Sequence, residues 1–257
     1  MKTIAIAGKG GTGKSTVATM IIRWLSQQGA GSILAVDADS NVNLNQLLGV
    51  EINSTIGGIR EEMKTLGNNL PSGMSKQQFL EYKIHCSLLE TPQFDLIAMG
   101  RPEGPGCYCY ANSLLRDVLA TLSQNYDYVV IDNEAGMEHL SRRTTQKIDY
   151  LLIVSDPIIR GIQTSGKISR LIKELDTRVD QKFLILNRAN NPLPDSVEKA
   201  IHQEKLTLLG IIPEDNQIMH RDQAGLPIWP ILDNCQAFKA LENLMTKLIL
   251  FGGENKQ

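Results

Sequence analysis

A chain of 257 residues, 42% of them hydrophobic, is long enough for one α/β domain, since doubly wound sheets often exceed the usual domain size. Its formal net charge of −2 gives no overall basic field to attract nucleic acid or anionic lipid, so we expect neither as a partner. No apolar run reaches the length of a membrane span and residues 1–8 lack a signal-peptide core, so we expect a cytoplasmic location.

Short apolar runs alternate with helix-like stretches along most of the chain. This alternation predicts an α/β fold with a doubly wound, mainly parallel sheet of about seven strands and helices on both faces. The predicted strands are Lys2–Ala7, Ser32–Val36, Phe94–Met99, Tyr128–Ile131, Tyr150–Val154, Lys182–Leu186 and Leu208–Ile212. We interpret the less regular residues 51–92 as a helical insertion within a single domain, 1–257. In such sheets, ligands bind beyond the carboxyl ends of the strands.

The first strand leads into a glycine-rich loop that contains the phosphate-binding pattern G-x-x-x-x-G-K-[ST]. The loop reads Gly8-Lys9-Gly10-Gly11-Thr12-Gly13-Lys14-Ser15. Its backbone N–H groups can close around an oxyanion, Lys14 can reach the β- and γ-phosphates, and the Ser15 hydroxyl can bind Mg²⁺. Helical spacing begins at Val17, directly after Ser15 and Thr16, so a helix N-terminus would point at the phosphates. The segment therefore predicts binding of a nucleoside triphosphate.

Lys9 is a lysine beyond what this pattern requires. Lys14 already serves the phosphates, and Gly10 and Gly11 make the loop adaptable. Two interpretations of Lys9 remain open. It reaches a phosphate bound by a partner subunit, as an arginine finger does, or it is a solvated surface lysine.

Acidic residues follow two of the predicted strands at the edge where the phosphates would lie. Asp132 comes directly after Tyr128–Ile131, a position suited to holding the water shell of Mg²⁺, and Gly136 can offer its N–H to the γ-phosphate. Asp37 and Asp39 are two residues apart on an extended segment, so their side chains point the same way. We interpret Asp39 as the residue that positions the attacking water and Asp37 as tied to the metal shell. The alternatives are a helix cap at Asp132 and an Asp-rich turn.

Two further turns at this edge are candidates for the adenine pocket. Asn187 and Arg188 follow the strand Lys182–Leu186, and a carboxamide can pair with the donor/acceptor edge of a purine. Pro213 and Glu214 follow the last strand. Ordinary turn residues are the alternative for both pairs.

Cys107 and Cys109 form a close pair in a loop after the strand Phe94–Met99. On an extended backbone both sulfurs can face one ion, and a twofold axis would supply the four thiolates of a closed site from two subunits. Tetrahedral geometry would suit Zn²⁺ and square-planar geometry Ni²⁺. Two buried, inert cysteines are the alternative. Cys86 and Cys235 stand alone, and we expect both in the core.

The phosphate loop resembles the deviant Walker A motif of the MinD/ParA/NifH class of dimerising ATPases. Within that class, three segments are similar to the CooC-type ATPases, which help insert nickel during maturation of carbon monoxide dehydrogenase. They are Gly100-Arg101-Pro102-Glu103-Gly104-Pro105-Gly106-Cys107-Tyr108-Cys109-Tyr110, Asp132-Asn133-Glu134-Ala135-Gly136-Met137-Glu138-His139-Leu140 and Arg142-Arg143-Thr144. The resemblance covers most of the chain, and the cysteine segment is its most specific part.

This resemblance implies a P-loop NTPase fold and a homodimer formed with ATP or metal. It implies that Lys9 contacts the partner's nucleotide, and that the cysteine pair binds Ni²⁺, or Zn²⁺, at the interface. Asp39 matches the hydrolytic aspartate of the class and Asn187 its adenine-binding asparagine. The expected activity is slow, dimer-dependent hydrolysis of ATP to ADP and phosphate with Mg²⁺. The expected client is carbon monoxide dehydrogenase or acetyl-CoA synthase.

The sequence departs from the pattern of the class at two positions. Ser40 stands where proline is expected after the second carboxylate, and Asn133 where methionine is expected. Neither change removes a functional group, so we interpret both as adjusting the site without altering its chemistry.

Other functions remain as alternatives, chiefly a MinD/ParA-like ATPase acting in positioning or partitioning. Membrane binding of the MinD type would need a basic amphipathic helix at the C-terminus, and DNA partitioning would need basic patches. The C-terminal stretch has apolar residues at helical spacing without a basic face, so we expect it to pack on the core. These residues are Leu241, Leu244, Met245, Leu248 and Ile249.

Two more distant alternatives use metal differently. A NifH-type iron–sulfur reductase needs a cysteine shortly after the second switch, and residues 133–150 contain none. A non-enzymatic metal carrier would use nucleotide only as a structural ligand, and the presence of Asp39 argues for hydrolysis instead.

Overall fold

A twisted β-sheet organises the computed structural model, which describes residues 1–66, 71, 73–101, 122–134, 147–174 and 178–254. The strands are β1 (Lys2–Gly8), β2 (Ile33–Ala38), β3 (Leu89–Glu90), β4 (Asp95–Ala98), β5 (Tyr128–Asn133), β6 (Lys147–Ser155), β7 (Arg178–Asn187) and β8 (Leu208–Ile212). They form one eight-stranded sheet in the order β3-β4-β2-β5-β1-β6-β7-β8. All neighbours are parallel except β3 and β4. The predicted α/β class with a mainly parallel sheet is confirmed.

Helices cover both faces of this sheet. Within the described ranges they are α1 (Lys14–Gln27), α2 (Leu44–Leu48), α3 (Ile56–Leu66), α4 (Lys76–Ser87), α5 (Ile159–Glu174), α6 (Asp195–Gln203), α7 (Asn216–Gln223) and α8 (Gln236–Glu254), with 3₁₀ turns at Ser123–Asn125 and Trp229–Asn234. One apolar core joins the sheet to α3, α5 and α6, and a second joins it to α1 and α8. Burial on both faces explains why the strands are almost continuously apolar.

The strand predictions differ from the structure at several places, and β2 and β5 each extend two residues further than predicted, to Ala38 and Asn133. The two-residue β3 was not predicted, because so short an edge strand has no periodicity to detect. Strands β6 and β7 begin earlier than predicted, at Lys147 and Arg178. The first residues of both strands are mostly polar, so they were not part of the predicted apolar runs. The Lys147 ammonium contacts carboxylates of both strands, Asp149 at 3.1 Å and Asp180 at 3.3 Å.

Helices α3 and α4 and strand β3 lie within residues 51–92. That this segment is an insertion in a single domain stays a prediction. Helix α8 packs against the sheet, as expected, and its buried residues include Phe238, Leu241 and Met245. In the described part of the chain, no helix combines the length and apolarity needed to cross a bilayer.

The order of the strands determines where a ligand can bind. From β1 the sheet continues to β5 and β2 on one side, and to β6 and β7 on the other. The carboxyl ends of these five strands therefore meet around the end of β1, which is the switch point of the topology.

Candidate active site

The phosphate loop connects β1 to α1 at this switch point. Helix α1 begins at Lys14, directly after Gly13, which has φ 86°. A Cβ at Gly13 would overlap the amide nitrogen of Asn187, so both the backbone angle and the close approach require glycine here. The first turn of α1 consequently directs its unpaired N–H groups and positive dipole end toward the loop, as an anion site requires.

Side chains hold three carbonyl groups of the loop. The Lys9 carbonyl accepts the Thr12 hydroxyl at 2.9 Å and the Lys14 ammonium at 3.4 Å. The Thr12 carbonyl accepts Nδ2 of Asn187 at 2.9 Å, and the Gly11 carbonyl accepts the Arg188 guanidinium. These contacts satisfy the hydrogen-bonding capacity of the loop carbonyls and connect the loop to the turn after β7.

The two lysines of the loop have different environments. Lys14 is only 8% exposed and contacts its own loop, whereas Lys9 is exposed. A buried ammonium at the start of α1 is placed to meet phosphates bound by the same chain. The exposed ammonium is available to a group outside the chain.

Asp37 and Asp132 are direct neighbours on β2 and β5, and their side chains are 0% and 1% exposed. Burial, reinforced by the charge of Asp37, raises the pKa of Asp132 to about 7, against the opposing effect of the Ser15 hydroxyl. Burial also raises the pKa of Asp37 to about 6. Two like charges packed together out of water are costly, which favours a cation at this place.

The partners of the two carboxyl groups separate their roles. Asp37 accepts the backbone N–H of Asp39 at 3.0 Å through Oδ1, and those of Asn43 and Leu44, both at 2.9 Å, through Oδ2. It thereby fixes the turn after β2 and the start of α2. Oδ1 of Asp132 is buried without a hydrogen-bond partner.

The hydrogen bonds of these carboxyl groups show which oxygens are available to Mg²⁺. The orphaned Asp132 oxygen and the Ser15 hydroxyl are hard oxygen donors of the kind that Mg²⁺ takes. Asp132 is thus better suited to the metal shell than Asp37, whose oxygens already serve the backbone.

Asp39 follows the end of β2 and is half-buried at the rim of the cavity. Its Oδ1 accepts the N–H of Asn41 at 2.8 Å, so the backbone turn fixes its orientation. That Asp39 positions the attacking water stays a prediction, and its place at the cavity rim is compatible with that role.

Ser40 and Asn133, the two departures from the pattern of the class, both make contacts at the strand ends. The Ser40 hydroxyl donates to Oε1 of Glu134 at 3.3 Å, which links the segments that follow β2 and β5. Nδ2 of Asn133 donates to the Ile6 carbonyl at 2.8 Å and so joins β5 to β1. Each tightens the edge of the sheet that carries the acidic residues.

A cavity of about 590 Å³ opens over the loop, within the usual range for ligand sites. Most of the predicted site residues line it: Gly10, Gly11, Gly13, Lys14, Ser15, Thr16, Asp39, Asn187, Arg188, Pro213 and Glu214. One N–H of the Asn187 carboxamide is bound to the loop, which leaves its oxygen and its second N–H for a base.

The cavity also has a wall that sequence reasoning missed. Asn43 and Gln46 reach it from the α2 side, and Asp215, Met219 and Asp222 from the α7 side. One local signal was available, because Asp215 caps α7 by accepting the N–H of Gln217 at 3.0 Å. The α2 residues have no signal of their own.

Gly136, Cys107 and Cys109 lie outside the described residues. The expectation for Cys86 is wrong: it is exposed in the last turn of α4, whose buried apolar residues are Phe79 and Ile84. Cys235 is buried as expected, and burial raises the pKa of its thiol to about 11, which makes it unreactive. Within the described ranges, no group of three or more His, Cys, Asp or Glu side chains is placed to hold a metal.

Comparison with known proteins agrees with this geometry. The CbiA family, described as the CobQ/CobB/MinD/ParA nucleotide binding domain, matches residues 3–228. An uncharacterised ATP-binding protein of Methanocaldococcus jannaschii is 40% identical over 248 residues, which are 96% of this chain and 98% of that protein. The carbon monoxide dehydrogenase accessory protein CooC of Rhodospirillum rubrum is 31% identical over 246 residues, which are 91% of each chain.

The fold also matches solved structures. The septum site-determining protein MinD of Pyrococcus horikoshii, solved in complex with Mg-ADP, aligns with a TM-score of 0.68 at 22% identity. The alignment covers 100% of this chain and 99% of that protein.

Proposed function

The chain belongs to the CobQ/CobB/MinD/ParA family of nucleotide-binding P-loop ATPases, and from this premise we propose that it is a dimerising, nickel-binding ATPase that assists metal insertion into an enzyme. The reaction is slow hydrolysis of ATP to ADP and phosphate, and the client is carbon monoxide dehydrogenase or acetyl-CoA synthase. The observation that carries the ATPase part is the buried Asp132 oxygen without a partner, beside Ser15 and beneath the phosphate loop.

In this proposal the phosphate loop binds the triphosphate through its N–H groups and Lys14. The Ser15 hydroxyl and Asp132 would hold Mg²⁺, whose charge would offset that of the phosphates. Asp39 orients the attacking water, because its carboxylate lies at the cavity rim on a fixed turn. The base lies toward Pro213 and Glu214, with the carboxamide oxygen of Asn187 as acceptor.

Lys9 acts across the dimer. It is exposed, so its ammonium is free to approach the phosphates bound by a second copy and stabilise the charge that develops during transfer. Hydrolysis is then slow in the monomer and faster in the dimer. Gly136 supplies a further N–H to the γ-phosphate in this scheme.

Nickel is the cargo, held by Cys107 and Cys109 of both subunits. Four thiolates around a twofold axis satisfy a soft metal, and Zn²⁺ fits the same ligands. Two observations support this part: the cysteine pair itself and the 31% identity with the accessory protein CooC over most of both chains.

The test compares wild type with Cys107→Ser/Cys109→Ser, and uses Cys86→Ser, an exposed lone cysteine, as the matched control. ATP turnover and molar mass are measured with and without Ni²⁺. Wild type and the control should bind about one Ni²⁺ per two chains and shift to dimer mass, whereas the double variant should do neither. Nickel binding and dimerisation of the double variant at wild-type levels would refute the metal site.

A positioning or partitioning ATPase of the MinD/ParA type is the second candidate function. The likeness of the fold to MinD favours it. Against it, the described apolar residues of α8, among them Leu241, Leu244 and Leu248, are buried in the core and are not displayed to a membrane. ATP turnover that responds to anionic vesicles or DNA, and not to Ni²⁺, would favour this second function.

A further inference from the structure

The Arg188 guanidinium joins three parts of the fold at the edge of the nucleotide cavity. Its Nη2 donates to the Gly11 carbonyl of the phosphate loop and, at 2.8 Å, to Oδ1 of Asp156. Arg188 follows β7, and Asp156 follows β6, the strand that pairs with β1. The turn after β6 is thus connected to the loop through a side chain of the next strand.

The contact with Arg188 restricts the backbone of Gly11, which the loop itself leaves free to move. Its φ of +79° is one that side chains rarely adopt, and a Cβ placed there would meet no atom within 4 Å. Gly11 is exposed, so neighbouring side chains do not confine it. The guanidinium contact therefore limits a residue whose conformation is intrinsically broad.

Asp156 is itself held rigidly. Its carbonyl accepts the Ser155 hydroxyl at 3.0 Å and the N–H of Ile158 at 2.9 Å, so the turn after β6 is fixed. The two side chains of the ion pair are partly solvated, 46% exposed for Arg188 and 33% for Asp156. At that exposure the pair adds little to folding, so its geometry is better explained by what it does to the loop.

We propose that Asp156 is a positioning residue for nucleotide binding, acting through Arg188. Its carboxylate aims the guanidinium at the Gly11 carbonyl and so presets the part of the loop that follows Lys9. A preset loop loses less conformational entropy when it closes around a triphosphate, so binding is tighter. This inference rests on the proposed nucleotide site.

The test is a double-mutant cycle on binding of a fluorescent ADP analogue with Mg²⁺. We expect the dissociation constant to rise about threefold in Asp156→Ala and about tenfold in Arg188→Ala. The double variant should bind no more weakly than Arg188→Ala, because Asp156 acts only through that side chain. Unchanged affinity in Asp156→Ala, or losses that multiply in the double variant, would overturn the proposal.

Further measurements separate positioning from general damage. Asp156→Glu should recover most of the affinity, and Asp156→Ala should raise the KM for ATP while leaving kcat nearly unchanged. Asp180→Ala, which removes an ion-paired carboxylate at the far end of β7, is the matched control and should bind as wild type does. Failure of Asp156→Glu to recover, or an equal loss in the control, would count against positioning. Failure of wild type to bind nucleotide would instead refute the proposed function.

Discussion

Asp37 on β2 and Asp132 on β5 are direct cross-strand partners, and both carboxyl groups are buried. Backbone N–H groups satisfy Asp37, whereas Oδ1 of Asp132 has no partner. The pair therefore divides the work of the site. One carboxyl shapes the turn that carries Asp39, and the other is the one that we propose as a ligand for Mg²⁺.

The first prediction concerns stability without metal. A carboxyl whose pKa is raised in the folded state binds more protons there than in the unfolded chain, so the free energy of unfolding falls as pH rises from about 4 to about 7. Asp132→Asn removes that ionisation. In EDTA at about pH 8 the variant should be more stable than wild type by about 1–3 kcal/mol, with a smaller difference at about pH 5. Urea unfolding measures this, and a difference independent of pH would contradict it.

The second prediction concerns metal-dependent binding. Mg²⁺ needs the ionised form of Asp132, whose pKa is about 7. Affinity for Mg·ADP should therefore fall about tenfold between about pH 8 and about pH 6, and affinity for metal-free ADP much less. Titration calorimetry at both pH values gives the comparison. Asp132→Asn should show weak, pH-independent binding; a retained pH dependence in that variant would assign it to another group.

The third prediction concerns the two lysines of the loop. Lys9→Ala should keep nucleotide affinity within about threefold of wild type and lower kcat at least a hundredfold, since groups acting in trans on a phosphoryl transfer contribute about 10³–10⁵. Lys14→Ala should lose affinity instead, because that ammonium is buried in the loop. Equal turnover in Lys9→Ala and wild type would leave Lys9 a surface lysine.

The fourth prediction tests whether two exposed apolar residues at the start of α5 belong to the surface of the proposed dimer. Ile158 and Ile159 are 51% and 46% exposed, and they follow Asp156, which reaches the phosphate loop through Arg188. Ile158→Glu/Ile159→Glu should prevent the ATP-dependent rise in molar mass while leaving ADP affinity unchanged. Leu171→Glu, which changes an exposed apolar residue near the other end of α5, is the matched control. Light scattering decides, and a dimer in the double variant would exclude this surface.

The sequence predicted best what local pattern encodes. The parallel strands are apolar runs bounded by turn residues, and the loop before α1 has a spacing that few other structures require. Asp132 was singled out because it directly follows the apolar run of residues 128–131, and its role as a metal ligand stays a prediction. The role of Asp37 was not, since alternation along a strand shows which way a carboxylate points but not which N–H groups the following turn will bring to it.

Long-range contacts were beyond reach for the same reason. Asp156 and Arg188 are 32 residues apart, and Arg188 and Gly11 are 177 apart. Only the order of β1, β6 and β7 in the sheet makes them neighbours. Cys86 was misplaced because the sequence around a lone cysteine does not show whether the neighbouring elements of the fold cover it.

Asn187 and Arg188 are consecutive, and they hold the consecutive carbonyls of Thr12 and Gly11. The turn after β7 thereby matches the spacing of the loop residue by residue. Deleting or inserting a single residue at this turn would move each donor to the wrong carbonyl and leave the loop out of register, even if the sheet formed normally. Homologous chains should therefore vary in length at residues 51–92 and keep a constant length here.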